Sequence, residues 1–395
     1  MEKKTLLVAF GGASPEHEVS VITAHQAIAA LEETGQFQIK PLYITKSGRW
    51  LTGSALLNLK NFENLKKLES ELTPCHFAQN EFGLSVLREE KAGFFSKAAE
   101  TSVYAVLLGF HGSKGENGAF QGVCEMYNLP YTCCGVLGSA VGMDKVTAKS
   151  ICRSNKIPVT EDVNFVEEDW VGNREKIIGR VNELGYPLIV KPVNLGSSIG
   201  VKIVKNRDEM SEAVETAFRY DRHILVEKVI SPLMEINCSV LGSGKDLRTS
   251  VCERPLGKEE LLSFQDKYLS DDAAKGMASA DRVIPADIPE EFSAEIREIS
   301  KKIFRILSCS GVARLDFLIN AKTHEFYFNE INTIPGSFSF YLWKESGLEF
   351  DDLLLELIEL AVQEHQKKSR RIQSYETNLL SKKAVKGIKG LKGTK

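Results

Sequence analysis

Three oxygen-bearing side chains near the C-terminal end of the chain, Asp316, Glu330 and Asn332, follow two separated lysines, Lys145 and Lys191, and a loop of small residues, Gly196-Ser197-Ser198-Ile199-Gly200. Carboxylate and amide oxygens are the ligands that hard Mg2+ takes, with water and phosphate oxygens completing its shell. Two lysines can neutralise triphosphate charge, and the backbone N–H groups of a glycine-serine loop can approach the same oxygens. In this order the residues point to a nucleotide-dependent enzyme.

Each feature has a plainer reading when taken alone. The loop reads as an ordinary turn, each lysine as a surface residue, and Asp316, Glu330 and Asn332 as capping or ion-pairing groups. His111, just beyond an apolar strand, is either a hydrogen-bonded structural histidine or a substrate contact. Glu16, after Gly11-Gly12, can simply cap the following helix. The spacing satisfies neither the GxxxxGK[ST] phosphate loop nor the GxGxxG dinucleotide fingerprint. The combination carries the argument.

Composition narrows the setting. At 395 residues and 43.9 kDa, with a formal charge of -3, the chain is long enough for two or three domains and has no overall field that favours nucleic acid or an anionic membrane. The first residues lack a secretory pattern and no run of apolar residues is long enough for a span, so a cytoplasmic protein without membrane insertion is expected. Eight cysteines without a CxxC pair read as reduced structural residues and not as a zinc site.

Strand signals at Thr5–Phe10, Phe37–Ile44 and Val103–Phe110 alternate with a helix over Glu18–Leu31, which predicts an α/β unit with mainly parallel strands. A second unit begins near Gly135, with a helix over Asp144–Ser154, and strands Leu188–Pro192 and Val201–Val204 form a hairpin whose loop can fold over phosphates. Runs at Ile236–Leu241, Gly311–Ile319 and Phe326–Phe328, with helices over Ala294–Leu307 and Leu353–Gln363, make a third. The polar stretch 264–272 between them is a candidate active-site loop. The expected boundaries are 1–134, 135–230 and 231–365, followed by a basic tail at 366–395 in which Lys367, Lys368, Arg370 and Arg371 precede six further lysines against the single acid Glu376.

The ordered motifs resemble the D-alanine:D-alanine ligase family of ATP-grasp enzymes over roughly residues 5 to 363. The matching segments are Gly11 to Ser20, His111 to Gly118 with Gln121-Gly122, Met143-Asp144-Lys145, Val190-Lys191-Pro192 and Asn329 to Gly336. The resemblance implies a three-domain ATP-grasp architecture, α/β and α+β, with an N-terminal parallel-sheet domain that binds substrate, a central lid and a C-terminal catalytic domain. It also implies site residues. Lys145, Lys191, Ser198 and Lys267 would serve ATP, Glu227 and Lys228 would line the adenine site, and Glu235 would bind ribose. Asp316, Glu330 and Asn332 would hold two Mg2+ ions, with Mn2+ as a substitute. Glu16 would orient the first D-amino acid, linked through Ser197 to Tyr268, while Arg314 and the Gly336 amide would stabilise an oxyanion.

His111, Tyr341 and Leu342 complete the expected substrate contacts. Many family members carry Ser-Leu or Ser-Met where Tyr341-Leu342 stands here, which opens the second subsite to change. The expected activity is ATP-dependent formation of D-alanyl-D-alanine for peptidoglycan precursors by a homodimer. Two alternatives are a related ligase with another acceptor and a nonenzymatic nucleotide-binding interaction protein that uses the basic tail.

Overall fold

The computed structural model describes residues 3–90, 98–256 and 281–372. Sixteen strands among these residues form three sheets. The first runs in the order β6-β5-β4-β3-β2-β1-β7, comprising β1 (Lys4–Gly11), β2 (Phe37–Ile44), β3 (Trp50–Thr52), β4 (Thr73–Gln79), β5 (Ser85–Glu89), β6 (Glu100–Ser102) and β7 (Ala105–Leu108). β1 lies parallel to β2 and β7, whereas the other four pairings are antiparallel. The parallel sheet expected here is thus the β2-β1-β7 part, and β3 to β6 add an antiparallel extension in which short loops join β2 to β3 and β4 to β5. Such connections permit antiparallel pairing, while a parallel return needs a crossover.

β1 is apolar from Leu6 to Phe10 and fully buried there, lying between its two parallel neighbours β2 and β7. The helix His17–Thr34 packs on it, and the helix Phe350–Ser369 returns from the far end of the chain to the same core with Leu353, Leu354, Leu357 and Ile358. The N-terminal sheet is therefore completed by C-terminal residues. Gly11 is obligatory at the end of β1: its φ is +93°, and a Cβ there would stand 2.3 Å from the carbonyl oxygen of Ile44.

The second sheet, in the order β10-β9-β11-β8, is wholly antiparallel and contains β8 (Asp162–Val166), β9 (Leu188–Pro192), β10 (Lys202–Val204) and β11 (His223–Lys228). The helices Glu167–Leu184 and Arg207–Ala217 cover it through Ile177, Ile178, Val181, Met210 and Val214. The third sheet runs β14-β13-β12-β15-β16, with β12 (Leu233–Ser243), β13 (Asp246–Pro255), β14 (Arg282–Val283), β15 (Gly311–Asn320) and β16 (Phe326–Asn332). Helix Glu290–Ile306 backs it, burying Ile296, Ile303 and Phe304 against Ile236, Cys238 and Phe317. None of the described helices is long and apolar enough to cross a membrane.

Candidate active site

The two lysines reach one place from different elements. Lys145 opens the helix Lys145–Ser154, whose start is set by Asp144 accepting from the Thr147 amide at 2.7 Å. Its ammonium donates to the Leu195 carbonyl at 2.6 Å and stands 3.0 Å from Glu330 Oε2. Lys191 projects from β9, donates to Asn329 Oδ1 at 3.1 Å and pairs with Glu227. Between the second and third sheets these lysines bound a cavity of about 100 Å³ whose polar lining includes Ser198, Lys228, Glu235, Asp316 and Glu330. Its apolar wall is built by Ile189, Val201, Ile203, Leu233 and Leu318.

Glu227 is turned away from this cavity, behind the lysines. Its carboxylate pairs with both Lys149 and Lys191, and Thr160 donates to it at 2.5 Å while accepting from Lys149 Nζ at 2.9 Å. Lys149 and Glu227 are each 1% exposed, so their charges are compensated within the network and not by water. Burial pushes Lys191 down to about 8, partly offset by Glu330. Burial and then Lys191 push Lys149 downward as well.

The three oxygen donors come together through strand register. Asp316 on β15 faces Glu330 on β16, and Arg314 faces Asn332 two positions along the same ladder. Asn332 Nδ2 donates to Asp316 Oδ2 at 3.0 Å. Arg314 grips the same carboxylate in a two-pronged pair, Nε to Oδ1 at 2.7 Å and Nη2 to Oδ2 at 2.8 Å. Burial works against the Arg314 charge, but Asp316, Tyr341 and Glu253 more than offset it. Among the described residues no three His, Cys, Asp or Glu side chains are grouped to hold a metal by themselves. Two carboxylates and an amide oxygen beside two lysines fit a hard cation that shares its shell with phosphate.

A second, smaller cavity adjoins the first, with Lys145 and Glu330 lining both. Glu16, His111, Glu116, Ser197, Arg314, Asn332 and Gly336 also line it, so all three sheets contribute through strands or their connecting loops. Ser197 donates to Glu16 Oε1, closing the loop between β9 and β10 onto the segment after β1. Gly112 is packed against both Ser14 and Glu16: a Cβ there would lie 2.8 Å from Glu16 Oε2. His111 Nε2 shares a 2.8 Å hydrogen bond with Thr23 Oγ1, and burial with Arg314 nearby pushes the ring down to about 3, leaving it neutral at ordinary pH. Thr23 Oγ1 also accepts from the Ser337 amide at 3.1 Å, which ties the turn containing Gly336 to the N-terminal helix.

Tyr341 and Leu342 line neither cavity. Leu342 is fully buried in the core. Tyr341 lies behind Arg314, its hydroxyl 3.2 Å from Glu253 Oε1 and its ring 4.0 Å beneath the Arg282 guanidinium. Glu253 also accepts from Asn237 at 2.9 Å and from Arg282 at 2.8 Å. Lys267 and Tyr268 lie outside the described residues, as does the tail beyond residue 372.

Lys149, Glu116, Glu253 and Arg282 were not singled out from the sequence. Lys149 had a usable signal: it stands four residues after Lys145 on one helix, and like charges at that spacing repel unless a partner lies between them. Glu116 sits inside the His111–Gly118 motif, where its chemistry depends on burial and not on spacing. Glu253 and Arg282 offered no local signal.

The family described as D-ala D-ala ligase N-terminus matches residues 5–134, and that described as D-ala D-ala ligase C-terminus matches residues 151–359. The D-alanine--D-alanine ligase of Thermosipho melanesiensis is 38% identical over 379 residues, covering 95% of this chain and 98% of its own length. The D-alanine-D-alanine ligase structure from Coxiella burnetii superposes with a TM-score of 0.78 at 30% identity, covering 96% of this chain and 100% of that one. The VanG D-Ala:D-Ser ligase from Enterococcus faecalis gives 0.75 at 31% identity over 91% of this chain and 100% of its own. Matched over both halves, with its motifs meeting around two adjoining cavities, the chain belongs to the D-alanine:D-alanine ligase family of the ATP-grasp superfamily.

Proposed function

We propose that the protein joins two D-alanine molecules at the expense of ATP, giving D-alanyl-D-alanine, ADP and phosphate for peptidoglycan precursor synthesis in the cytoplasm. The observation that carries this reading is the adjacency of the two cavities: Lys145, Lys191, Asp316 and Glu330 bound one, and Glu16, Ser197, Arg314 and Gly336 the next. A phosphoryl donor and an amino acid carboxylate held in them would meet at Lys145 and Glu330. In the first step the carboxylate of one D-alanine attacks the γ-phosphoryl group, and Lys145, Lys191 and the loop amides around Ser198 offset the charge spread over its oxygens.

Asp316, Glu330 and Asn332 would hold Mg2+, or Mn2+ in its place, and the metal when bound neutralises phosphate charge. Arg314, paired with Asp316 in this structure, would stabilise the oxyanion formed at the acyl carbon together with the Gly336 amide. Glu16, fixed by Ser197, would hold the ammonium of the first D-alanine. Lys228 and Glu235 are placed in this reading at the nucleoside end, with Glu227 acting on the adenine side through the two lysines it anchors. The same reading assigns Lys267 to ATP and Tyr268 to the substrate. The amine of the second D-alanine then displaces phosphate from the acyl carbon.

One observation favours a changed acceptor. Tyr341, where the family often has serine, lines neither cavity but is held by Glu253 and Arg282 one layer behind Arg314, so a small hydroxyl is replaced by a ring that backs the arginine expected at the acyl oxygen. A D-amino acid other than D-alanine in the second position is the alternative. A homodimer belongs to the same proposal; Met126, Val136 and Leu137, on two helices that pack together, leave apolar surface exposed that such an interface would cover.

Product analysis by mass spectrometry with ATP, Mg2+ and a panel of D- and L-amino acids tests the proposal. D-alanyl-D-alanine with equimolar ADP is expected from D-alanine alone. A mixed dipeptide made in preference would move the assignment to another acceptor, and nucleotide binding without any ligation would overturn it.

A further inference from the structure

Two ammonium groups enter the proposed reaction, and only one of them must lose a proton. The first D-alanine reacts through its carboxylate and keeps its charge, whereas the second attacks through nitrogen and is inert until deprotonated. Glu16, with Ser197, answers the first need. Nothing assigned so far answers the second.

Glu116 is a buried carboxylate in the same cavity as Glu16, Ser197, Arg314 and Gly336. The two glutamates stand on either side of Gly112. Its amide donates to Glu116 Oε2 at 3.1 Å, and its missing side chain leaves room for Glu16 Oε2. The other oxygen of Glu116 accepts from the Ile334 amide at 3.3 Å, two residues before Gly336. One carboxylate is thus fixed from both ends between the N-terminal motif and the turn expected to hold the acyl oxygen.

Resting on the function proposed above, we propose that Glu116 is a catalytic base that accepts the proton of the acceptor ammonium. One proton passes from that ammonium to Glu116. The freed lone pair forms the C–N bond, and the tetrahedral intermediate then breaks its carbon–oxygen bond to phosphate, with the second proton leaving on the phosphate. Glu116 returns its proton to solvent when product departs. Among the described residues, the other ionisable groups facing the cavity are poorly suited: Lys145 and Arg314 are cations, Glu330 is turned to Lys145, Glu16 is engaged by Ser197, and His111 is held too weak a base by burial. Burial and the neighbouring Glu16 push Glu116 up to about 8, with Glu330 contributing least, a basicity matched to proton transfer near neutral pH.

Hydroxylamine separates this role from a structural one, because it is already neutral at neutral pH and traps an acyl phosphate without a base. The rates of D-alanyl hydroxamate and dipeptide formation would be compared in the full chain with Glu116→Gln and Glu116→Asp. Dipeptide formation in Glu116→Gln should fall by roughly 100-fold or more, the range over which a positioned base acts, and the hydroxamate-to-dipeptide ratio should rise by about the same factor. Because the ratio is taken on the active fraction alone, partial misfolding does not move it. Glu116→Asp, which keeps a carboxylate, should give an intermediate ratio. A ratio equal to wild type in both variants would overturn the proposal. Wild-type protein that yields neither product from D-alanine would instead sink the function on which it rests.

Discussion

Lys149 lies one layer behind the nucleotide cavity, and replacing it with methionine tests whether the buried network holds the lysines in place. The wild-type Glu227 carboxylate has three partners, Lys149, Lys191 and Thr160, and is 1% exposed. Removing one member of a buried pair typically costs ~3–5 kcal/mol because the other charge is left without compensation. Lys191 and Thr160 remain, so the lower end, about 3 kcal/mol, is expected for Lys149→Met. For a cooperative unit of roughly 150–250 residues that is a fall in Tm of roughly 6–12 °C. Function should suffer in parallel. With Lys149 gone, Lys191 is the cation left paired with Glu227, and a charge-assisted contact to phosphate weakened by ~1.4 kcal/mol is about tenfold in Kd. Calorimetric melting and ATP titration measure the two effects. The double variant Lys149→Met with Glu227→Gln should recover at least ~1 kcal/mol of the loss, since it removes the stranded charge. A melting shift under about 2 °C with unchanged ATP affinity would refute the reasoning.

Three further outcomes follow from the same geometry. Ser197→Ala removes the hydroxyl that binds Glu16 and should lower kcat/KM for D-alanine by roughly 10- to 150-fold, the equivalent of the ~1.5–3 kcal/mol of a hydrogen bond to a charged group; nucleotide affinity, measured separately, should stay the same. Lys191, pushed down to about 8 by burial, loses its positive charge as pH rises through that value, so ATP affinity should decline from pH 7 to pH 9. Between about 8 and the ordinary lysine range the unfolded chain binds the extra proton, so this group's contribution to stability should increase with pH, which pH-dependent melting checks. Leu342→Ala should cost ~2–5 kcal/mol by opening a cavity in the core, while KM for D-alanine in the folded fraction stays within about twofold, because the side chain lines neither cavity.

Much of the local structure could be read along the chain because its causes are local. The apolar run Leu6–Phe10 followed by glycines reads as a buried strand and turn, Asp144 marks the start of the helix Lys145–Ser154, and Leu188–Pro192 with Lys202–Val204 reads as a hairpin. Less could be read of the first sheet, where β3 to β6 are strands of three to seven residues between polar stretches. Segments so short carry too few alternating positions to declare themselves.

The sequence by itself determined which chemistry was available: two lysines, a glycine-serine loop, three oxygen donors and an arginine, in an order that identifies the family. Tertiary structure decided which of them meet. Asp316 faces Glu330 because β15 and β16 pair in one register, interrupted by a shift after Asp316, and a one-residue slip would have sent these side chains to opposite faces. Ser197 reaches Glu16 across 181 positions, and Glu227 anchors lysines from two other elements. Glu116 is an ordinary glutamate in sequence and becomes a base near neutral pH only where burial and a second carboxylate surround it. The physical reason is that side-chain identity is carried by the chain, whereas solvation and the fields of distant charges exist only after the strands have paired and the sheets have packed.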